Sequence, residues 1–354
     1  MVRGRRPPRW AYARDAGPGR RPGRVGVRAR RAAERPAAAP ARRGHGGRRS
    51  LRRAPGGARA VAGGRPLGRR GGPEPCRARR RPAAGARRQG ARPLTVRVVD
   101  SHLHVWNAEG PETPWRAGWA RFAHGASFTV EAALDAMDGA GVSAAVLIPA
   151  AWDVRGNELV LDAARRRPDR FAAFPVLDVR RPLAAAALTG FRGIRLMFPP
   201  GMRTSWLDGA DWLWAAAEEA GLPVMAWLPG QLSRLPPILR RHPSLRVAVD
   251  HLNLGMGWPP EDASAEVEAL CRLADLPGLA VKASALPSAG GRPLLRRVVE
   301  AFGAGRVFWG SDLMRLPCSY RDAVALVAED PDLDRHEREL VAGDALRRWL
   351  AWDG

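Results

Sequence analysis

Asp100-Ser101-His102-Leu103-His104 closes an apolar run that includes Val96, Val98 and Val99. Such a run reads as a strand, and side chains two apart on a strand share a face. His102 and His104 therefore point the same way, which lets two imidazoles converge on one metal ion or one substrate. In a parallel barrel, active sites are built at the C-terminal ends of the strands. On its own, His-x-His also describes two polar residues leaving a strand, so the rest of the chain has to decide.

From Val96 onward, short apolar runs alternate with amphipathic segments. Strands are predicted at 96–101, 143–148, 171–177, 191–197, 223–228, 245–250, 279–284 and 306–310. Their apolar runs are nearly continuous, as in strands covered on both faces. Helices are predicted at 130–140, 157–167, 209–220, 231–241, 263–275, 291–302 and 319–328, while the crossover at 182–190 is too short to promise one. Thr129, and Asp208-Gly209 ahead of Trp212 and Trp214, read as helix starts. Gly141 and Gly221 read as helix ends. Repeated strand–helix units imply a parallel sheet. Eight of them in the last 259 residues favour an α/β fold of the closed (β/α)8 kind, a TIM barrel, over an open doubly wound sheet. No Gly-x-Gly-x-x-Gly follows the first strand, which argues against a dinucleotide-binding fold. The region 105–128, carrying Trp106, Trp115 and Trp119, is too long for an ordinary loop and is expected to cover the barrel mouth.

The chain joins two compositions near Leu94. Residues 1–95 hold 29 arginines and three acids (Asp15, Glu34, Glu74), whereas the remainder holds 29 basic and 32 acidic residues. The high positive charge therefore belongs to the first segment alone. That segment is nearly all Arg, Gly, Pro and Ala, with too little apolar surface to offset backbone ordering. Residues 1–94 are read as a disordered, low-complexity segment and 95–354 as the barrel. Three origins suit the segment: a basic arm for nucleic acid or an anionic membrane, a targeting segment, or translation from a start codon upstream of the true one. The last fits best, because Lys282 is the only lysine among 58 basic residues and so marks strong codon bias. A nucleic-acid partner is not expected. Trp10 and Tyr12 offer little stacking, and charge alone gives salt-sensitive, non-specific binding. Cys76, Cys271 and Cys318 form neither a disulfide framework nor a zinc knuckle, so a cytoplasmic location is the default. No apolar run reaches the roughly 18 residues of a membrane span, and no secretory signal is expected.

Polar residues gather where a barrel places its chemistry. His102 and His104 end the first strand, Arg195 lies in the fourth, and Asp250-His251 end the sixth. Lys282 and Ser284 lie in the seventh, and Asp312 follows the eighth. A single such residue is usually a satisfied core group. Several together are hard to explain by stability, since each buried charge is costly unless paired.

These motifs, in this order, resemble the amidohydrolase superfamily, specifically its amidohydrolase family 2 branch, which includes sugar lactonases and the dicarboxylate lactonase of aromatic degradation. The carriers are Val99-Asp100-Ser101-His102-Leu103-His104-Val105-Trp106, Gly193-Ile194-Arg195, Val249-Asp250-His251-Leu252, Val281-Lys282-Ala283-Ser284 and Trp309-Gly310-Ser311-Asp312. Gly343-Asp344-Ala345-Leu346 with Trp349-Leu350 resembles the family's closing segment. The resemblance implies a TIM-barrel hydrolase of a small-molecule substrate. It puts His102, His104 and Asp312 at metal-ligand or substrate-contact positions and His251 at the strand-6 histidine. Two departures stand out. The fifth strand, Pro223-Val224-Met225-Ala226-Trp227-Leu228-Pro229-Gly230, lacks the histidine many members carry. Arg195 stands where binuclear members place a bridging lysine. A binuclear centre is not expected; one zinc on His102, His104 and Asp312, or a metal-free site, both stay open.

Opening a lactone needs a base for water, a group to hold the carbonyl oxygen, and a grip on the rest of the substrate. Asp312 is the expected base. His251 with His102 and His104, with or without zinc, would polarise the carbonyl. Arg195 and Arg315 would grip a substrate carboxylate. Lys282 would polarise an oxygen or serve as partner to a carboxylate. The plainer readings are an internal ion pair for Arg195, a solvated charge for Arg315, a packing role for His251 and a helix cap for Asp312. The alternative within enzymes is a metal-dependent, non-oxidative decarboxylase of a carboxylated ring, which the missing strand-5 histidine disfavours. The alternative from another class is a non-specific nucleic-acid binder working through the basic segment.

Overall fold

β1 (Val98–Val105) opens a run of parallel strands: β2 (Val142–Pro149), β3 (Phe171–Ala173), β4 (Ile194–Met197), β5 (Val224–Trp227), β6 (Val247–Val249), β7 (Leu279–Ser284) and β8 (Val307–Gly310). The computed structural model describes residues 96–352, apart from 184, 199–206, 208, 256–259 and 287–290. The expectations for residues 1–94 and for Asp208 as a helix start lie outside the described residues.

The strands pair in chain order, β1-β2-β3 in one ladder and β4 to β8 in another. Each side of the β3–β4 gap is tied by a parallel bridge between Val176 and Arg195, with the Arg195 N–H donating to the Pro175 carbonyl at 2.8 Å. β8 meets β1 where the Asp312 N–H donates to the His102 carbonyl at 3.0 Å. The chain is thus the parallel α/β barrel that the alternating pattern predicts. Val, Leu, Ile and Ala fill the strands, and almost every strand residue is buried. A fully buried side chain of this kind contributes about 1.5–3 kcal/mol relative to exposure.

Two departures from the predicted elements have local causes. β1 runs on to Val105, so both histidines lie inside the strand; His104 is in register with Ile148. β3 ends at Ala173 instead of 177, because Pro175 has no N–H to give a ladder. Among its described residues the third crossover carries only a 3-10 turn, Ala185–Leu188, as its length implied.

The helices are α1 (Val130–Ala140), α2 (Gly156–Arg166), α3 (Asp211–Glu219), α4 (Leu235–Arg241), α5 (Pro260–Cys271), α6 (Arg292–Phe302) and α7 (Tyr320–Ala328). Thr129 caps α1 by accepting the Ala132 N–H, and Gly141 ends it in the left-handed region. Two short C-terminal helices, α8 (Arg335–Glu339) and α9 (Ala345–Leu350), were not predicted. α8 opens on a capping box of Asp334 and Glu337. No helix among the described residues is long and apolar enough to cross a membrane.

The seam between β8 and β1 is close enough to need a glycine. A Cβ on Gly310 would lie 2.6 Å from the Ser101 hydroxyl and 3.2 Å from the His102 nitrogen. Gly310→Ala is expected to lower unfolding stability by about 1–3 kcal/mol, the usual range for an overpacked core. Urea unfolding checks this. A change below roughly 0.5 kcal/mol would mean the seam opens without strain.

Candidate active site

The end of β1 carries the first part of the site. Between Asp100 and Leu103, β1 holds one residue more than β2 does between Ala145 and Leu147, a bulge. Bulges re-aim side chains and recur beside active sites. The Asp100 carboxylate anchors this bulge. It accepts the N–H of His102 (2.8 Å) and of Ser311 (2.9 Å) on one oxygen and the Tyr320 hydroxyl (2.6 Å) on the other. One buried carboxylate therefore joins β1, the end of β8 and α7. Burial pushes its pKa up, against the pull of these donors.

The two strand-1 histidines form a chain. His104 Nδ1 lies 2.9 Å from the Ile148 carbonyl, and His104 Nε2 lies 3.0 Å from His102 Nε2. His102 Nδ1 lies 2.9 Å from the Lys282 ammonium. Burial lowers the pKa of all three site imidazoles. His104 falls to about 3 and His251 to about 4, while His102, with Lys282 as its next largest influence, falls well below the ordinary value. The rings are neutral at pH 7.

Beneath them lies a buried triad. Asp250 Oδ1 pairs with the Lys282 ammonium at 2.9 Å, and Asp250 Oδ2 accepts from Arg195 Nε at 2.8 Å. Burial alone would raise the Asp250 carboxyl, but Lys282 and Arg195 outweigh it and hold the pKa well below the ordinary range. Lys282 is completely buried, so of its two expected roles the geometry gives it that of carboxylate partner, not of an oxygen-polarising group in the cavity. Arg195 likewise spends its Nε on Asp250, and its Nη2 stands 3.5 Å from His251 Nε2.

β6 ends in an unusual turn. His251, Leu252 and Asn253 adopt φ of 55°, 54° and 60°. Left-handed backbone costs roughly 1–2 kcal/mol per non-glycine residue. Asn253 holds the turn: its side chain exchanges two 3.0 Å hydrogen bonds with the Leu228 backbone and donates to Glu266 at 2.6 Å. The turn swings His251 back over the barrel. Its Nδ1 lies 2.8 Å from the Ser284 hydroxyl, and its ring centroid 4.6 Å from that of His102. Asn253 was not anticipated. The only local signal was an asparagine, a residue tolerant of left-handed backbone, directly after a polar pair at a strand end.

Asp312 completes the cluster, also at positive φ (47°). Its Oδ1 is 3.8 Å from His104 Nε2, and its Oδ2 is 3.9 Å from His251 Nδ1 and 3.3 Å from Arg315 Nε. The carboxylate is buried, yet Oδ1 has no hydrogen-bond partner among the described residues. It heads the 3-10 turn Leu313–Arg315 without capping it, so the helix-cap reading does not apply. Arg315 is partly exposed beside it.

His102, His251 and Asp312 offer ligand atoms within 4.8 Å of one another, a group that could hold a metal ion. Two imidazoles and a carboxylate suit zinc, and the orphaned Asp312 oxygen gives such an ion a ligand. The converging set has His251 where the sequence reading put His104, although His104 Nε2 still lies 3.0 Å from His102 Nε2 and 3.8 Å from Asp312 Oδ1. The fifth strand, which lacks a histidine, ends at Trp227, whose indole N–H donates to the Leu254 carbonyl.

A cavity of about 140 Å³ opens beside His104, walled by Trp106, His124, Ser127, Phe128, Leu313 and Met314. Trp106, Trp152 and Ala150 form a separate buried apolar cluster, with Trp115 and Trp119 packed against it. The tryptophans of the long 105–128 region thus pack just beyond the ends of β1 and β2.

A family model described as amidohydrolase matches residues 99–352. The L-fucono-1,5-lactonase of Burkholderia ambifaria is 27% identical over 242 residues, 62% of this chain and 80% of that protein. An amidohydrolase from Burkholderia multivorans with bound zinc shares the fold at a TM-score of 0.59 and 21% identity, over 73% of this chain and all of that one. A probable 2-pyrone-4,6-dicarboxylic acid hydrolase from Acinetobacter baumannii, with citric acid bound, matches at 0.55 and 20% identity, over 72% of this chain and all of that one.

Neutral buried histidines make stability depend on pH. Each takes up a proton in the unfolded chain near pH 6.5 but in the folded chain only near pH 4 or below. Their contribution is complete above pH 6.5 and is lost as pH falls from there toward 4. In metal-stripped protein, each histidine is expected to steepen the loss by up to about 1.4 kcal/mol per pH unit. Urea unfolding at pH 7, 6 and 5 measures it, and His251→Gln should remove about one proton from the slope. Stability that stays flat from pH 7 to 5 would show that these rings are not held neutral.

Proposed function

Since the chain belongs to the amidohydrolase family, we propose that it hydrolyses a small lactone, with Asp312 as the base that activates water. The observation that carries this reading is the Asp312 carboxylate itself. It is buried at the C-terminal end of the barrel, it faces neutral imidazoles, and one of its oxygens has no donor. An oxygen in that state is ready to accept a proton.

The steps follow from the side chains present. Asp312 Oδ1 takes a proton from water as the water oxygen bonds to the lactone carbonyl carbon. The carbonyl π pair moves onto its oxygen, where the Arg315 guanidinium stabilises the charge. The tetrahedral centre then collapses. The ring C–O bond breaks, and the Asp312 carboxyl returns its proton to the departing ring oxygen. The product is the open hydroxy acid. A zinc ion, if held by His102, His251 and Asp312, would add Lewis-acid polarisation of the carbonyl.

The cavity walls favour a lactone with no carboxylate substituent. Trp106, Phe128, Leu313 and Met314 present apolar surface, and no cationic side chain lines this cavity among the described residues. Of the two expected carboxylate grips, Arg195 is committed to Asp250 and Arg315 stands beside Asp312. Indole faces suit the C–H face of a sugar ring, and the curated relative's name is that of a sugar lactonase.

A panel of neutral sugar lactones and dicarboxylate lactones tests the proposal. Turnover is expected on the neutral members. Asp312→Asn should lower that turnover by at least about 100-fold while shifting the melting temperature little, with zinc content measured alongside. Near-normal turnover in the variant would remove Asp312 from the chemistry. Turnover of dicarboxylates alone would overturn the assignment of substrate class.

A further inference from the structure

The hydrogen bonds around His102 and His104 fix where their protons sit. The Ile148 carbonyl only accepts, so His104 Nδ1 must be the protonated nitrogen. In a neutral ring that leaves His104 Nε2 as an acceptor. It faces His102 Nε2 at 3.0 Å, so the proton of that contact belongs to His102 Nε2. His102 Nδ1 is then an acceptor, and what it faces is the Lys282 ammonium, a group with donors only. The other end of the chain gives the same answer independently. Lys282, held on Asp250 at 2.9 Å, requires an acceptor at His102 Nδ1 and hence a proton on Nε2.

We infer that Lys282 is a positioning residue that locks His102 with its proton on Nε2 and so opposes the loading of a divalent metal at this histidine. A metal needs the lone pair of the nitrogen it binds. For His102 Nε2 to ligate, its proton must move to Nδ1, where it would point at the Lys282 ammonium, donor against donor. Histidine ligands normally give that second N–H to a carboxylate or a carbonyl. Here the carboxylate is present, but it is one step further away: Asp250 holds Lys282 instead of the ring. The cluster has the residue types of a zinc site and a hydrogen-bond direction that runs against it. His102 accordingly presents an N–H, not a lone pair, toward His104.

This inference rests on the same site as the lactonase proposal, but its test uses no turnover, so the two fail separately. Zinc affinity is measured on chelator-stripped full-length protein by competition with a chromophoric chelator. Lys282→Gln can place an amide oxygen at Nδ1, which supports the proton there and frees Nε2. Lys282→Met supplies neither donor nor acceptor. The expected order of affinity is Gln above Met above the native protein, with Gln tighter than native by at least about 10-fold, the size of effect that such outer partners have on metal sites. A purely structural lysine would weaken binding in both variants. Equal or weaker zinc binding by the Gln variant overturns the inference. A second measurement needs no change at Lys282. Ring nitrogen NMR of the native protein, assigned with His102→Asn, should show His102 protonated on Nε2. A spectrum with the proton on Nδ1 overturns the lock whether or not the lysine variants fold.

Discussion

Lys282 and Arg195 close on the Asp250 carboxylate inside the barrel, and the site is built on that contact. The three residues come from β7, β4 and the end of β6, so the contact ties together strands whose helices lie apart in sequence. Carrying three charges out of water costs several kcal/mol per ion after relaxation. Close geometry offsets that cost here, with a cation on each carboxylate oxygen. A triad of this kind adds little net stability over apolar packing, but removing one member leaves a buried charge without its partner. What the barrel obtains is placement. Arg195 reaches His251, Lys282 reaches His102, and through His102 the contact sets His104.

The reactive groups sit on backbone that the fold holds under strain. His251, Leu252 and Asn253 in sequence, and Asp312 alone, occupy the left-handed region. Contacts from other elements fix these turns: the Asn253 amide on Leu228, the His102 carbonyl on the Asp312 N–H, and the Asp100 carboxylate on the neighbouring Ser311. The seam between β8 and β1 belongs to the same system. Gly310 permits the approach that brings Asp312 within 4 Å of His104. Packing, strain and the position of the carboxylate are one arrangement.

The alternation of apolar runs and amphipathic segments was enough to predict the barrel, because strand and helix period are local properties of the chain. Seven of the helices and the order of the strands follow from it. The strand-end polar residues were also visible, since each stands out against an apolar run. The partners of those residues were less visible. Lys282 with Asp250, or Arg195 with His251, are contacts between distant positions, and no local pattern distinguishes a buried ion pair from a group awaiting substrate. The bulge in β1, the left-handed turn at His251 and the place of His124 in the cavity wall depend on neighbours supplied by other strands. Pro175 is a local signal in the sequence: it shortens β3 by removing a donor.

The claim on which the account depends is that Asp250 is the shared counter-ion of two buried cations, and Asp250→Asn tests it most directly. Asparagine keeps the shape and removes the charge. Urea unfolding at pH 7 should show a loss of about 3–5 kcal/mol, the range for breaking a buried ion pair on one side. A variant that keeps its stability to within about 1 kcal/mol would contradict the account, for it would show that Lys282 and Arg195 do not need the carboxylate.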